Sequence, residues 1–182
     1  MHILQILNVL NEKYGNKIKI LKGSEVDILK DGSLDYPEKI VEKFDVVIAA
    51  IHQSFNYRTT ERMIKAIENP YVNIIAHPTG RLISRRKGYG NHNIDEIISA
   101  ASENNKILEL NSYPERLDLN EINLKKAKKK NVKIAINTDA HGITEMEYMK
   151  YGVSIARRGW LEKKDVVNIM DSKNIIKTLK GG

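Results

Sequence analysis

The sequence contains no cysteine, which excludes a disulfide scaffold, thiolate metal sites, iron–sulfur clusters and cysteine nucleophiles. Aromatic residues make up only 6% of the chain, so a base-stacking surface behind its basic residues is not indicated. No apolar run approaches the roughly 20 residues of a membrane-spanning helix, and the first residues do not resemble a signal peptide. We therefore expect a cytoplasmic protein with no membrane partner, whose only metal chemistry would use histidine and carboxylate.

Several nucleotide-binding and hydrolase motifs are missing as well. There is no Gly-x-x-x-x-Gly-Lys phosphate loop, no Gly-x-Gly-x-x-Gly turn and no Gly-x-Ser-x-Gly nucleophile elbow. The 182 residues are predicted to form one domain, 1–182, with a net charge of +7. This charge is compatible with a phosphate-bearing partner but does not indicate one by itself. The run Lys125–Lys130 is predicted to be a solvated helix face.

Short apolar, β-branched runs alternate with helical stretches along the chain. The predicted strands are Ile18–Ile28, Asp45–His52, Val72–His77, Lys106–Asn111, Val132–Asp139 and, more weakly, Tyr151–Ala156. The predicted helices are Met1–Tyr14, Pro37–Lys43, Thr60–Glu68, Ile94–Asn104, Leu119–Lys130, Thr144–Tyr148 and Lys163–Met170. This alternation predicts an α/β fold with a parallel sheet, either open or closed into a barrel.

Chemically active side chains follow the ends of several predicted strands. Glu25 comes at the end of the first strand, His52 ends the second and His77 the third, while Asp139 and His141 follow the fifth. The carboxyl ends of parallel strands meet at one edge, where functional groups collect in such folds. Singly, each residue is more typical of a cap, a turn or a structural histidine. Together they predict a site for divalent zinc, manganese or iron ions.

Two further groups of residues have more than one interpretation. Glu109 and Asn111, at the end of the fourth strand, could shape a substrate pocket, although a structural role fits them equally well. The basic residues that follow His77 could contact phosphate, and three of them could follow a polynucleotide backbone. These residues are Arg81, Arg85, Arg86 and Lys87.

Five ordered motifs resemble the PHP (polymerase and histidinol phosphatase) superfamily, most closely the C-terminal module of bacterial and archaeal family X DNA polymerases. The resemblance extends over nearly the whole chain. The motifs are Gly-Ser-Glu-Val-Asp-Ile at 23–28, the strand-terminal His52, His-Pro-Thr-Gly-Arg at 77–81, Leu-Glu-Leu-Asn at 108–111 and Asn-Thr-Asp-Ala-His at 137–141.

The resemblance implies a distorted (β/α)7 TIM-like barrel that holds up to three metal ions and hydrolyses phosphate esters with metal-activated water. It implies that Glu25 bridges two ions and that His52 and His77 complete the ligands of one of them. Asp139 would bind the second ion and His141 the third. The expected function is that of a phosphatase or a 3'-5' exonuclease associated with a DNA polymerase, with a phosphate ester or nucleic acid as substrate.

By the same resemblance, Arg81 would contact the substrate phosphate. The family's opening His-x-His strand has no counterpart in this sequence, which predicts that the first one or two β/α units are lacking. A second copy or another chain could then complete the barrel. The absence of these histidines makes catalytic activity doubtful. The alternative function is a non-catalytic, metal-binding remnant or an accessory module of a protein like DNA polymerase X.

Overall fold

The computed structural model describes residues 2–15 and 17–179. It has five strands: β1 (Gly23–Asp27), β2 (Val46–Ala50), β3 (Ile74–Ile75), β4 (Ile107–Asn111) and β5 (Ile134–Asn137). The α-helices are α1 (His2–Tyr14), α2 (Glu38–Val41), α3 (Thr59–Glu68), α4 (Ile94–Glu103), α5 (Glu121–Lys129), α6 (Met149–Arg158) and α7 (Ser172–Leu179). Short 3₁₀ helices cover Ile143–Tyr148, Lys163–Asp165 and Val167–Ile169. Met1, the first residue of the predicted N-terminal helix, lies outside the described residues.

The five strands form one parallel sheet in the order β1-β2-β3-β4-β5. Each strand therefore lies beside its neighbour in sequence, and the carboxyl ends of all five share one edge. This arrangement confirms the predicted α/β fold with a parallel sheet. The count of seven β/α units, the missing first units and a second chain that completes the barrel stay predictions.

The sheet buries apolar side chains on both faces. Ile75 and Leu108 belong to a large cluster that also contains the buried residues of α3, α4, α5 and α6. Their neighbours Ile74 and Ile107 belong to a smaller cluster on the opposite face, which includes Leu179 of α7. Alternation of side chains along a strand explains why adjacent residues enter different clusters.

The strand register places two carboxylates on the face of the smaller cluster. Glu25 is aligned with Ile48, which is aligned with Ile74 on β3. Glu109 is aligned with Ala135, another member of that cluster. The lower part of this face is therefore apolar, whereas its carboxyl-terminal edge carries ionisable side chains.

The predicted weak strand Tyr151–Ala156 is wrong, because this segment lies within α6. Tyr151, Val153 and Ile155 alternate as a half-buried strand would, yet Tyr151 and Val153 are exposed. The buried positions are Gly152 and Ala156, which lie four residues apart on one helical face. A Cβ on Gly152 would come within 2.0 Å of Ser112 Oγ, so close packing on the sheet requires glycine here.

Two other segments near the C-terminus differ from the predicted helices. Residues 163–170 form two separate 3₁₀ helices in place of one continuous helix. Helix α7 was not predicted, although it contributes Leu179 to the smaller core. Among the residues that the structure describes, no helix combines the length and hydrophobicity that crossing a bilayer requires.

Arg62 of α3 joins the loops that follow β1 and β2. Its side chain is 2% exposed, and its Nε donates to the carbonyl oxygen of Leu29 at 2.8 Å. Its Nη1 donates to the carbonyl oxygens of Gln53 at 3.2 Å and Ser54 at 3.1 Å. Burial lowers the pKa of this guanidinium. Arg62 thus satisfies buried backbone groups next to the ends of two strands that carry predicted site residues.

We expect Arg62→Ala to lower the free energy of unfolding by about 3 kcal/mol or more, because several buried carbonyls lose their donor. Chemical denaturation of the purified variant measures this change. Arg58→Ala is the matched control, since Arg58 is exposed and has only a 3.7 Å ion pair with Glu61. An exposed pair of this kind contributes about 0–1 kcal/mol. Equal losses in the two variants would contradict the assigned role of Arg62.

Candidate metal centre

Three predicted ligands converge where β1, β2 and β3 end. One ligand atom from each of Glu25, His52 and His77 lies within 4.8 Å of the others. The Nε2 atoms of His77 and His52 are 3.2 Å and 3.5 Å, respectively, from the same oxygen, Oε1 of Glu25. Two imidazole nitrogens thus approach one carboxylate oxygen from neighbouring strands.

Tyr89 and Glu109 fix the orientation of His77, whose side chain is 2% exposed. The Tyr89 hydroxyl donates to the carbonyl oxygen of Ile51 at 2.9 Å and lies 3.4 Å from His77 Nδ1. The hydroxyl hydrogen is therefore committed to Ile51, and this network assigns the ring proton of His77 to Nδ1. The backbone N–H of His77, at a φ of 31°, donates to Oε2 of Glu109 at 2.7 Å.

Asp27 plays the same part for His52. It follows Glu25 by two residues on β1, so both side chains leave the strand on one side. Asp27 Oδ1 lies 2.6 Å from His52 Nδ1, which leaves His52 Nε2 facing Glu25. A carboxylate that holds the outer nitrogen of an imidazole is the usual support of a metal-binding histidine.

The electrostatics of the three side chains also suit a cation. Hydrogen bonds from His52 and His77 hold the pKa of Glu25 well below its usual range. The hydrogen bond to Glu25, with help from Asp27, raises the pKa of His52 to about 9. With its proton on Nδ1, His77 turns a lone pair toward an anionic oxygen, which is favourable only with a positive charge between them. Two imidazoles and a carboxylate suit zinc, iron or manganese.

Asp139 and His141 lie together after β5, but they do not join this group. Asp139, at a φ of 54°, accepts a hydrogen bond from Asn111 Nδ2 at 3.1 Å. His141 is 81% exposed, and its Nδ1 lies 3.9 Å from Asp139 Oδ1. Asp139 and Glu25 line one cleft of about 330 Å³, so a second ion could lie between the two carboxylates.

The basic segment after His77 is largely engaged within the protein. Arg81 donates from Nε and Nη2 to the carbonyl oxygens of Arg116 and Leu117, both at 2.6 Å. The guanidinium of Arg86 stacks 3.9 Å from the Phe55 ring. The role of Arg81 in phosphate binding therefore stays a prediction, and its observed contacts are with a neighbouring loop.

Buried carboxylates form the floor below the centre. Besides the N–H of His77, Glu109 accepts hydrogen bonds from Asn137 Nδ2 at 2.9 Å and Asn111 Nδ2 at 3.2 Å. Asp118 accepts hydrogen bonds from the backbone N–H of Thr79 at 3.0 Å and from its hydroxyl at 2.8 Å. Burial raises the pKa of both carboxyl groups.

Sequence reasoning left the supporting residues unassigned. The spacing of Asp27 from Glu25 was a usable signal, since residues two apart on a strand share a face. Tyr89 and Asp118 lie on loops, and no local pattern marks them. Their roles depend on contacts with residues far along the chain.

No family model matches the sequence. The chain is 35% identical over 175 residues to a probable phosphatase of Thermoanaerobacter sp. (strain X514), covering 89% of this chain and 68% of that protein. The chain belongs to this family of probable phosphatases. It is also 47% identical over 177 residues to the DNA polymerase/3'-5' exonuclease PolX of Bacillus subtilis (strain 168). That match covers 96% of this chain but only 31% of the polymerase.

A solved structure shows the same fold. It is a histidinol phosphate phosphatase from Lactococcus lactis, crystallised with zinc, L-histidinol and phosphate. The TM-score is 0.60 at 19% sequence identity, over 86% of this chain and 73% of that chain. These relatives are consistent with the predicted membership of the PHP superfamily.

We expect Tyr89→Phe to weaken zinc binding about 10- to 100-fold, as the loss of a supporting hydrogen bond to a ligand does. The substitution keeps the ring that stacks on Phe55 at 5.8 Å, so the fold should persist. Isothermal titration calorimetry measures the affinity. Tyr57→Phe, at a residue that is 48% exposed, is the control and should bind zinc as the unmodified chain does. Unchanged affinity in Tyr89→Phe would show that His77 does not need this support.

Proposed function

We propose that this chain hydrolyses phosphate esters with the aid of divalent metal ions held by Glu25, His52 and His77. The observation that carries this proposal is the approach of two Nε2 atoms to one oxygen of Glu25. Its membership of a family of probable phosphatases supports a phosphate ester as the substrate. The similarity to PolX supports nucleic acid as one such ester.

The chain's own residues would prepare the site in three ways. Asp27 and Tyr89 hold the rings of His52 and His77 so that their Nε2 atoms face Glu25. Asp139 places a second carboxylate across the shared cleft. A bound divalent ion supplies Lewis acidity, which lowers the pKa of water and neutralises charge on phosphoryl oxygens. Zinc, manganese and iron all suit the donor set, and the number of ions is part of the proposal.

A second candidate is a metal-binding module without catalytic activity of its own, serving a protein like DNA polymerase X. Within residues 2–15 and 17–179, only one group of three side chains converges as metal ligands. His141 is mostly exposed and meets only Asp139 and its neighbours. A single bound ion would stabilise the fold without assembling a full catalytic centre.

The metal-dependent function is tested with purified protein and manganese. We expect Mn²⁺ to raise the melting temperature, by binding the folded state, and to support hydrolysis of p-nitrophenyl phosphate or single-stranded DNA. His77→Ala and Glu25→Gln should abolish both effects, because each variant removes one of three ligands. Glu61→Gln, at an exposed carboxylate whose only contact is Arg58, should retain both.

The outcomes separate the two candidates. Metal-dependent stabilisation without turnover of either ester would favour the non-catalytic module. Stabilisation that persists in Glu25→Gln would show that the ion binds elsewhere. The absence of both stabilisation and turnover with every divalent metal tested, in a folded sample, would contradict both candidates.

A further inference from the structure

A second cleft, of about 470 Å³, opens beside the proposed metal centre. Asp139 lines both this cleft and the one that contains Glu25, so the two are contiguous. The second cleft is also lined by Arg116, Arg85 and His141. A group bound in it would therefore lie next to a proposed metal ligand.

Arg116 is the best-placed cation in this cleft. Its side chain is 17% exposed, and its Nε lies 3.6 Å from Oδ2 of Asp139. Its Nη1 is buried and has no hydrogen-bond partner among the described residues. A buried donor without a partner is unfavourable by about 1–3 kcal/mol. A guanidinium fork with a free donor at the edge of a cleft suits a planar or tetrahedral oxyanion.

The loop that carries Arg116 is held on several sides. Arg81 donates to the carbonyl oxygens of Arg116 and Leu117, as described above. The backbone N–H of Ile83 donates to the carbonyl oxygen of Glu115, and that of Arg116 donates to Tyr113, at 2.6 Å and 2.8 Å. Arg116 is therefore positioned before any ligand arrives, which reduces the entropy lost on binding.

The charges around Arg116 are mixed but leave it available. Two acidic residues, Glu115 and Glu145, also line the cleft. The Glu145 carboxylate accepts the backbone N–H of His141 at 2.6 Å, so part of its capacity is used. Arg85 adds a second guanidinium to the same wall. A phosphoryl dianion would face two cations here, with the proposed metal ions on its other side.

We propose that Arg116 binds the phosphoryl oxygens of the substrate and that Arg81 supports it by holding its loop. The inference rests on the proposed phosphoesterase function. It assigns the phosphate contact to a residue 35 positions from Arg81, the arginine that the sequence had indicated. The Nη atoms of Arg116 would donate to phosphoryl oxygen while Nε stays beside Asp139.

Inorganic phosphate tests this contact without relying on turnover. It is titrated calorimetrically into the metal-free and the manganese-loaded protein, for the unmodified chain, Arg116→Met and Arg116→Lys. We expect phosphate affinity to fall at least about tenfold in Arg116→Met, and less in Arg116→Lys, which keeps the charge but loses the fork. The kcat/KM for p-nitrophenyl phosphate should fall about 100-fold in Arg116→Met. Arg157→Met, at an exposed arginine outside the cleft, should change neither quantity.

Manganese affinity distinguishes phosphate binding from mere support of Asp139. If Arg116 binds phosphate, its loss should leave manganese affinity unchanged or tighter, because a competing cation has gone. A lower manganese affinity in both variants, with phosphate affinity unaltered, would overturn the inference. So would normal phosphate affinity in a folded Arg116→Met variant, or in Arg116→Lys where Arg116→Met does not fold.

The inference and the proposed function can fail separately. If the unmodified chain hydrolyses phosphate esters and the Arg116 variants do so equally well, the inference is wrong and the function stands. If no ester is hydrolysed but phosphate binding depends on Arg116, the function is wrong and the phosphate site stands. If the unmodified chain does not bind phosphate in either metal state, the inference is overturned.

Discussion

The carboxylate of Glu25 and the two imidazole nitrogens that face it form the contact on which the proposed centre depends. One oxygen of Glu25 lies 3.2 Å from His77 Nε2 and 3.5 Å from His52 Nε2. Without a metal, the protonated ring of His52 supplies the positive charge that this oxygen requires, and its pKa rises accordingly. A divalent ion would supply more charge at the same point. The protein thus arranges the donors, while their mutual attraction to a cation decides what binds.

Buried polar groups hold these donors in place. Glu109 receives the N–H of His77 in a left-handed backbone conformation that residues other than glycine seldom adopt. Tyr89 holds the outer nitrogen of the same ring, and Arg62 fixes the loops that follow β1 and β2. Because each group is buried, an unmade hydrogen bond would be unfavourable, so few alternative arrangements compete. The apolar clusters on both sheet faces support this polar edge from below.

The sequence was informative wherever the chemistry follows from local position. Apolar strands that end on Glu25, His52 and His77 predicted both the parallel sheet and the convergence of three ligands at its edge. Period-two alternation misled at Tyr151–Ala156, where small residues four apart pack a helix on the sheet. Arg116 was not singled out, because its value comes from contacts between loops that are distant in the chain. The same holds for Tyr89, which reaches His77 from another loop. Such contacts between loops have no signature in spacing or composition.

The location of the bound metal tests the account most directly. Crystals of the zinc-loaded chain, measured at the zinc absorption edge, give the ion's position from its anomalous scattering. The account predicts a peak about 2.0–2.2 Å from the Nε2 atoms of His52 and His77 and from a carboxylate oxygen of Glu25. A peak at other side chains, or no peak there at full zinc loading, would contradict it.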